Sequence, residues 1–235
     1  MYTGPNIITD GLVLHLDAAN TKSYPGSGNT WYDLSGNGNN AFGQSNSGNN
    51  IDPTNFPFFE SDNKGIFRFN GSNTGLIIPS NMGNHSESAH EFWVYKKTAG
   101  SSEYISDARN GTGSWWIFDY QSNDNFDIHG RLEADNPVPH TNFSNWWFRW
   151  IHVVIQSNNN TNSKLFVNGE PINDERLKDS QALNVNLGEN FTIGSRYTHS
   201  GHFDGWFASY KIYNKELSVS EVLQNYNATK SRFNI

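Results

Sequence analysis

The chain has 235 residues, a formal net charge of -7 and no cysteine. An acidic chain lacks the basic face that broad nucleic-acid binding needs, and the absence of thiols excludes a disulfide framework and a cysteine nucleophile. Apolar residues make up only 35% while aromatic residues reach 14%, so the core must rest on Phe, Trp and Tyr, and the Asn/Gly/Ser-rich remainder suits a loop-rich β protein better than a helical one.

Residues 1–10 precede the first patterned segment and read as an N-terminal arm containing Gly4-Pro5. They hold no basic region followed by an apolar run, so no secretory signal is expected. No stretch approaches the length of a membrane span. Residues 11–17 form the first expected strand, with Leu12, Leu14 and Leu16 on one face; that face needs cover, and the last strand of the chain is the expected neighbour. A Gly/Asn/Ser-rich stretch follows to residue 48, pinned to the body by Trp31, Tyr32 and Leu34. Two short strands, 66–71 and 75–79, flank a tight turn at Asn70-Gly71-Ser72-Asn73.

Residues 91–96, 114–120 and 126–132 read as further strands. The strongest runs from 146 to 156 and is aromatic and β-branched. A polar turn leads from it to residues 164–167, which predicts a hairpin, and Asn168-Gly169 is a type I′ signal for a short return at 170–172. Residues 190–195 precede the final strand, 205–213, where Trp206, Ala208, Tyr210 and Ile212 alternate with Phe207, Ser209, Lys211 and Tyr213. Ser218 and Glu221 then have capping-box spacing, Leu217 and Val222 the spacing of a hydrophobic staple, and Val222, Leu223 and Tyr226 share one side of the helical wheel. Many short strands with turns between them indicate an antiparallel sandwich or barrel. No internal repeat or linker divides residues 11–235, which read as a single domain.

Taken in order, Gly11 to Ala18, Trp31-Tyr32-Asp33-Leu34-Ser35-Gly36-Asn37-Gly38-Asn39-Asn40, Phe69-Asn70-Gly71, Trp150-Ile151-His152-Val153-Val154 with Lys164 to Gly169, and Phe203 to Tyr213 with the helix after it resemble the laminin-G-like branch of the concanavalin A-like lectin/glucanase superfamily. The resemblance implies an all-β, antiparallel jelly-roll sandwich with a short C-terminal helix. Residues 11–20 with 23–31 resemble structural proteins of tailed bacteriophages. That likeness implies a non-enzymatic virion protein, a capsid-decoration or fibre domain whose partners are other virion proteins, further copies of itself and host-surface glycans. A lectin whose main role is sugar recognition is the alternative, and a glycan hydrolase the third reading.

The superfamily includes glycanases, and retaining hydrolysis needs two carboxyl groups about 5–5.5 Å apart. Glu133-Ala134-Asp135 begins like the glucanase motif, but Asn136-Pro137 follows, and Pro breaks a central strand. The glycan-binding candidates are instead Trp115, Trp116, Arg131, His199 and His202. An outward Trp beside Arg131 or Asn145 presents an aromatic face to sugar C–H groups; the same ring would equally suit a subunit contact or packing within the domain. His199 and His202, with Asp204 close in sequence, carry groups for a transition metal or a sugar; a polar rim loop is the competing reading. Asp33, Ser35 and Asn37 occupy alternate positions with Gly38 at the sixth, like the start of a Ca²⁺ loop, but Gln44 stands at the twelfth position where a bidentate Glu belongs. A turn held by Asx hydrogen bonds explains the same residues. No other cofactor is expected.

Overall fold

The structure, a computed structural model, describes residues 5–47, 50–97, 102–109, 116–120, 125–129, 140–142, 148–158, 161–173 and 185–235. Within these the elements are β1 (Leu12–Asp17), β2 (Thr30–Trp31), β3 (Ala41–Gly43), β4 (Phe58–Glu60), β5 (Ile66–Asn70), β6 (Leu76–Ile78), β7 (Asn84–His85), β8 (Glu87–Lys96), β9 (Glu103–Asp107), β10 (Trp116–Tyr120), β11 (Asn125–His129), β12 (His140–Asn142), β13 (Ile151–Asn158), β14 (Thr161–Val167), β15 (Glu170–Pro171), β16 (Val185–Asn186), β17 (Phe191–Ile193), β18 (Asp204–Tyr213) and the helix α1 (Val219–Thr229). Every strand pair is antiparallel. One sheet runs β15-β14-β13-β8-β18-β5-β4, with β1 beside β18; the other runs β12-β11-β10-β9-β17-β6-β3-β2.

β18 is the centre of the first sheet. One of its edges pairs with β8 along nearly its whole length; the other is shared, with β5 taking Asp204 to Phe207 and β1 taking Ser209 to Tyr213. The expected pairing of first and last strands is therefore present. The two sheets enclose an aromatic core in which Trp31, Phe67, Phe69, Phe92, Phe191, Phe207 and Tyr210 are fully buried. Phe92 and Tyr210 stack at 5.4 Å, and Phe69 meets Phe207 edge-on at 5.3 Å. Each such ring stabilises the fold by about 1.5–3 kcal/mol of transfer free energy, which makes up for the low aliphatic content.

Several details differ from the sequence reading. Strict alternation in β18 fails because a bulge lies between Phe207 and Ser209. Phe207, Tyr210 and Ile212 enter the core, whereas Trp206 and Ala208 pack on the opposite side of the sheet with Phe233. A register shift between Leu12 and Leu14 likewise turns Leu12 out of the core that holds Leu14 and Leu16. The segments around Asn70 and Gly75 do not form a hairpin. β5 and β6 belong to different sheets, and the loop between them crosses the sandwich, with the Asn70 side-chain oxygen accepting the N–H groups of Ser72, Asn73 and Thr74. The strand expected from 146 starts at Ile151 among the described residues. The β13–β14 hairpin forms, and Asn168 and Gly169 take φ of 53° and 85°, the positive values a type I′ turn requires.

The outer face of the first sheet is covered by the chain's own ends. Ser218 and Glu221 form the capping box that starts α1. Leu217 and Val222 are buried with Ala89, Val154, Phe166 and Tyr213. Leu223, expected on the same side, is 39% exposed; the buried stripe is Val222, Asn225 and Ala228. Residues 6–8 lie against the helix, with Ile8 N donating to Asn225 Oδ1 and Gln224 Nε2 donating to Asn6 O. Among the described residues no helix is long and apolar enough to cross a membrane.

Candidate functional site

The sequence candidates fall in three places. Trp115, Arg131, Trp146, Trp147, Glu133 and Asp135 lie outside the described residues. Trp116 opens β10 opposite Asp107 of β9, and only its backbone is described. His199 and His202 do meet, at the rim of the sandwich, with ring centroids 4.5 Å apart at 73°. Their nitrogens bind carbonyls of the crossing loop, His199 Nε2 to Asn73 O and His202 Nδ1 to Thr74 O, both at 3.2 Å. Burial lowers both pKa values, and for His199 the neighbouring His202 adds to it. Asp204 is not with them; its carboxylate lies 3.7 Å from Lys97. Among the described residues no three His, Asp or Glu side chains gather as metal ligands.

Asp33, Ser35 and Asn37 are brought together, but in an Asx-bonded knot. Asp33 Oδ1 accepts from His15 N and Ser35 N, and Oδ2 from Ser35 Oγ and Asn39 N. Asn37 turns its amide nitrogen to Leu12 O and Val13 O. Four protein donors occupy the one carboxylate, so a cation here would have to break these bonds.

The arrangement that sequence reasoning missed lies on the outer face of the first sheet, beside the part covered by α1. Register places one residue from each of five strands or strand ends in a transverse row. Trp206 of β18 is opposite Tyr95 of β8 on one side and Arg68 of β5 on the other, and Phe58 of β4 is opposite Arg68. Trp150, just before β13, continues the row at Tyr95. The Trp150–Tyr95 and Tyr95–Trp206 ring centroids are 5.9 and 5.2 Å apart, both edge-to-face. At the usual 4.7–4.9 Å between strands, the row is about 19 Å long.

Packing fixes the rings and leaves their faces. Trp206 Nε1 donates to Glu60 Oε2 at 2.9 Å, and Trp150 Nε1 donates to the Asn63 side-chain oxygen at 3.1 Å when the Asn63 amide takes the orientation that satisfies both its neighbours. Trp150 also rests on Phe233, at 4.7 Å. Trp150, Tyr95 and Trp206 are half-buried and Phe58 is 58% exposed. Arg68 Nε is buried without an acceptor. The row thus offers partly exposed apolar rings beside the half-buried Arg68 side chain, a surface suited to sugar rings, which present C–H faces.

The buried carboxylates are committed elsewhere. Glu91 is held by Lys211 at 2.6 Å, Glu103 by Lys96 at 3.4 Å, and Asp107 by Arg109 at 2.6 Å. Burial alone would push Glu91 up, but the Lys211 ammonium and the His152 hydrogen bond override it and hold Glu91 well below the usual carboxylate range. The Arg109 guanidinium also lies 5.1 Å from the Tyr104 ring and 5.6 Å from Tyr197, next to the His199 loop. This second polar cluster rests on β9, a strand that sequence reading did not find because residues 103–109 alternate weakly.

A family model described as the concanavalin A-like lectin/glucanases superfamily matches residues 69–223. No curated protein sequence matches. Among solved structures, the receptor binding domain of botulinum neurotoxin C/D mosaic serotype is similar at a TM-score of 0.68 and 17% identity, covering 93% of this chain and 51% of that one. The botulinum neurotoxin serotype D ligand binding domain in complex with N-acetylneuraminic acid matches at 0.64 and 18%, covering 93% and 51%. A structure titled for the dependence of botulinum neurotoxin type C cell entry on two ganglioside molecules matches at 0.66 and 16%, covering 94% and 52%. These likenesses show the fold. The chain spans about half the length of each of those structures.

Proposed function

The chain belongs to the concanavalin A-like lectin/glucanases superfamily, and from that premise we propose that it is a non-catalytic recognition domain that binds carbohydrate along the Trp150–Tyr95–Trp206–Arg68–Phe58 row. The row itself carries the reading: aromatic side chains held in register across one sheet, with Arg68 among them. The similar toxin domains lend support, because the titles of two of them name a sialic acid and gangliosides, although those ligands belong to chains twice as long. The non-catalytic part of the reading is supported by the carboxyl groups. A glycosidase needs an acid with a raised pKa, whereas every resolved carboxyl shift among the described residues is downward, at Asp52, Glu91 and Glu221.

We further propose that the domain is displayed on a bacteriophage virion as a capsid decoration or fibre part, anchored by contacts to other virion proteins or to copies of itself. The support is the likeness of residues 11–31 to such proteins and the rigid two-sheet body. Mass spectrometry of purified particles tests the location: a stoichiometric chain is expected, and its absence ends the virion reading. A glycan array tests the binding. The wild-type protein is expected to retain a defined set of glycans, and Trp206→Ala to lose about 2 kcal/mol, roughly thirtyfold in Kd, with an unchanged near-ultraviolet circular dichroism spectrum outside the indole contribution. A silent array, or undiminished binding by Trp206→Ala and Phe58→Ala, overturns the assignment to this row.

A further inference from the structure

On the outer face of the same sheet, a pocket of about 270 Å³ opens between residues 5–7, β1, β18 and the end of α1. Its polar lining includes His15, Asp17, Lys64, Ser209, Lys211 and Arg232, with Asn6 and Thr229 beside them. We propose that this pocket binds the carboxylate of a small organic acid.

The lining is unbalanced toward donors. Arg232 directs three of its five N–H groups to the protein: NH1 donates to Asp17 Oδ1 at 2.8 Å, NH2 to Gly65 O and Nε to Asn63 O. Asp17 therefore offers little to a ligand, and its charge is cancelled. Lys211, at 1% exposure, gives one N–H to Glu91 Oε1 at 2.6 Å, and an ammonium carries three. The Ser209 hydroxyl is buried without a hydrogen-bond partner, which ordinarily needs an explanation. Lys64 stands exposed at the mouth and enters no ion pair among the described residues. With the Lys211–Glu91 and Arg232–Asp17 charges cancelling, one positive charge remains, that of Lys64.

His15 shares the wall. It is faced by Lys211 from β18, Asp17 on its own strand, Asp33 from the loop after β2, and Glu91 from β8; burial first, and then Lys211, hold its pKa down to about 4. The neutral ring adds another N–H donor. A group of donors with one net positive charge suits a single anion that accepts several hydrogen bonds. The volume lies just under the 300–1,000 Å³ typical of sites for drug-sized ligands, so the acid is small, and the apolar wall formed by Ile7 and Ala228 receives its body.

The test uses sodium benzoate as probe and benzyl alcohol as neutral control, at constant ionic strength. Benzoate is expected to raise the melting temperature saturably, as a ligand of the native state must, and to move the His15 ring resonances in the NMR spectrum with the same midpoint. Ser209→Ala and Lys64→Gln, which leave the Lys211–Glu91 pair intact, are each expected to weaken benzoate roughly tenfold, the loss of one hydrogen bond to a charged group. A response to benzoate that does not saturate, an equal response to benzyl alcohol, or undiminished affinity in both variants overturns the proposal. The pocket shares no residue with the aromatic row, so failure of either binding test leaves the other standing.

Discussion

Glu91 is the residue on which the outer face depends. It is fully buried, and both oxygens are engaged: Oε1 accepts from Lys211 at 2.6 Å and His152 Nε2 at 3.1 Å, and Oε2 from Asn225 Nδ2 at 2.6 Å. The His152 contact is a hydrogen bond from a neutral imidazole rather than an ion pair, because burial lowers the His152 pKa. Through Asn225, which also receives Ile8 N, the same carboxylate ties the sheet to α1 and to the N-terminal segment. Such a network is strong only while it is complete. Replacing one partner of a buried pair leaves the other charge without compensation, at a cost of about 3–5 kcal/mol, whereas replacing both by apolar groups is often nearly neutral. Glu91→Leu and Lys211→Met are therefore each expected to lower stability by about that amount, and the double change Glu91→Leu/Lys211→Met to cost less than the two single effects added together. Urea unfolding of the three variants checks this; additive losses would show that the pair is not the unit described.

At the scale of elements, α1 was legible and its neighbours only partly so. The capping box at Ser218 and Glu221 and the staple at Leu217 and Val222 are local patterns, set by adjacent residues, and they form as read. Ser218→Ala removes the side-chain acceptor from Glu221 N, which costs about 1 kcal/mol. Because the helix covers Glu91, amide hydrogen exchange should accelerate along residues 219–225 before the core strands respond; uniform acceleration would mean that helix and sheet open as one unit. What the sequence hid is non-local. The bulge in β18 and the shift in β1 reverse side-chain parity without any Gly or Pro to mark them. The β5–β6 turn looks like a hairpin because short-range Asn and Gly signals cannot say which sheet each strand joins. The aromatic row draws on residues 58, 68, 95, 150 and 206, so no short window contains it. The same chemistry was sought at Trp115, Trp116 and Arg131, because adjacent aromatics are conspicuous in a sequence and register is not.

The whole molecule stores a pH dependence in its histidines. His90 is buried between the sheets, where burial first and His85 second bring its pKa to about 3, and its Nδ1 lies 3.1 Å from the Tyr210 hydroxyl. His152 is buried on the outer face, with its pKa also lowered by burial, and its Nδ1 has no partner. Each folded-state value lies below the unfolded value of about 6.5. The unfolded chain therefore binds more protons as pH falls, and stability held above pH 6.5 is lost on the way down toward the folded pKa values. With its native pKa brought to about 3, His90 contributes about one proton, roughly 1 kcal/mol per pH unit, to the slope near pH 5, and His152 acts in the same direction. Glu91 acts in the same direction over a lower window: its pKa is depressed on folding, so its contribution is present above about pH 4.3 and disappears as pH falls through its native value. For a domain with an ordinary stability of about 5–15 kcal/mol, these losses predict a urea midpoint that is level between pH 8 and 7, falls from about pH 6 and drops steeply below pH 4.5. His90→Gln should remove about one proton from the slope between pH 6 and 5 while leaving the acid limb due to Glu91 in place. A midpoint unchanged from pH 7 to pH 5, or a slope that His90→Gln does not reduce, would mean that the histidines are protonated within the folded sandwich and that its interior accommodates the charge.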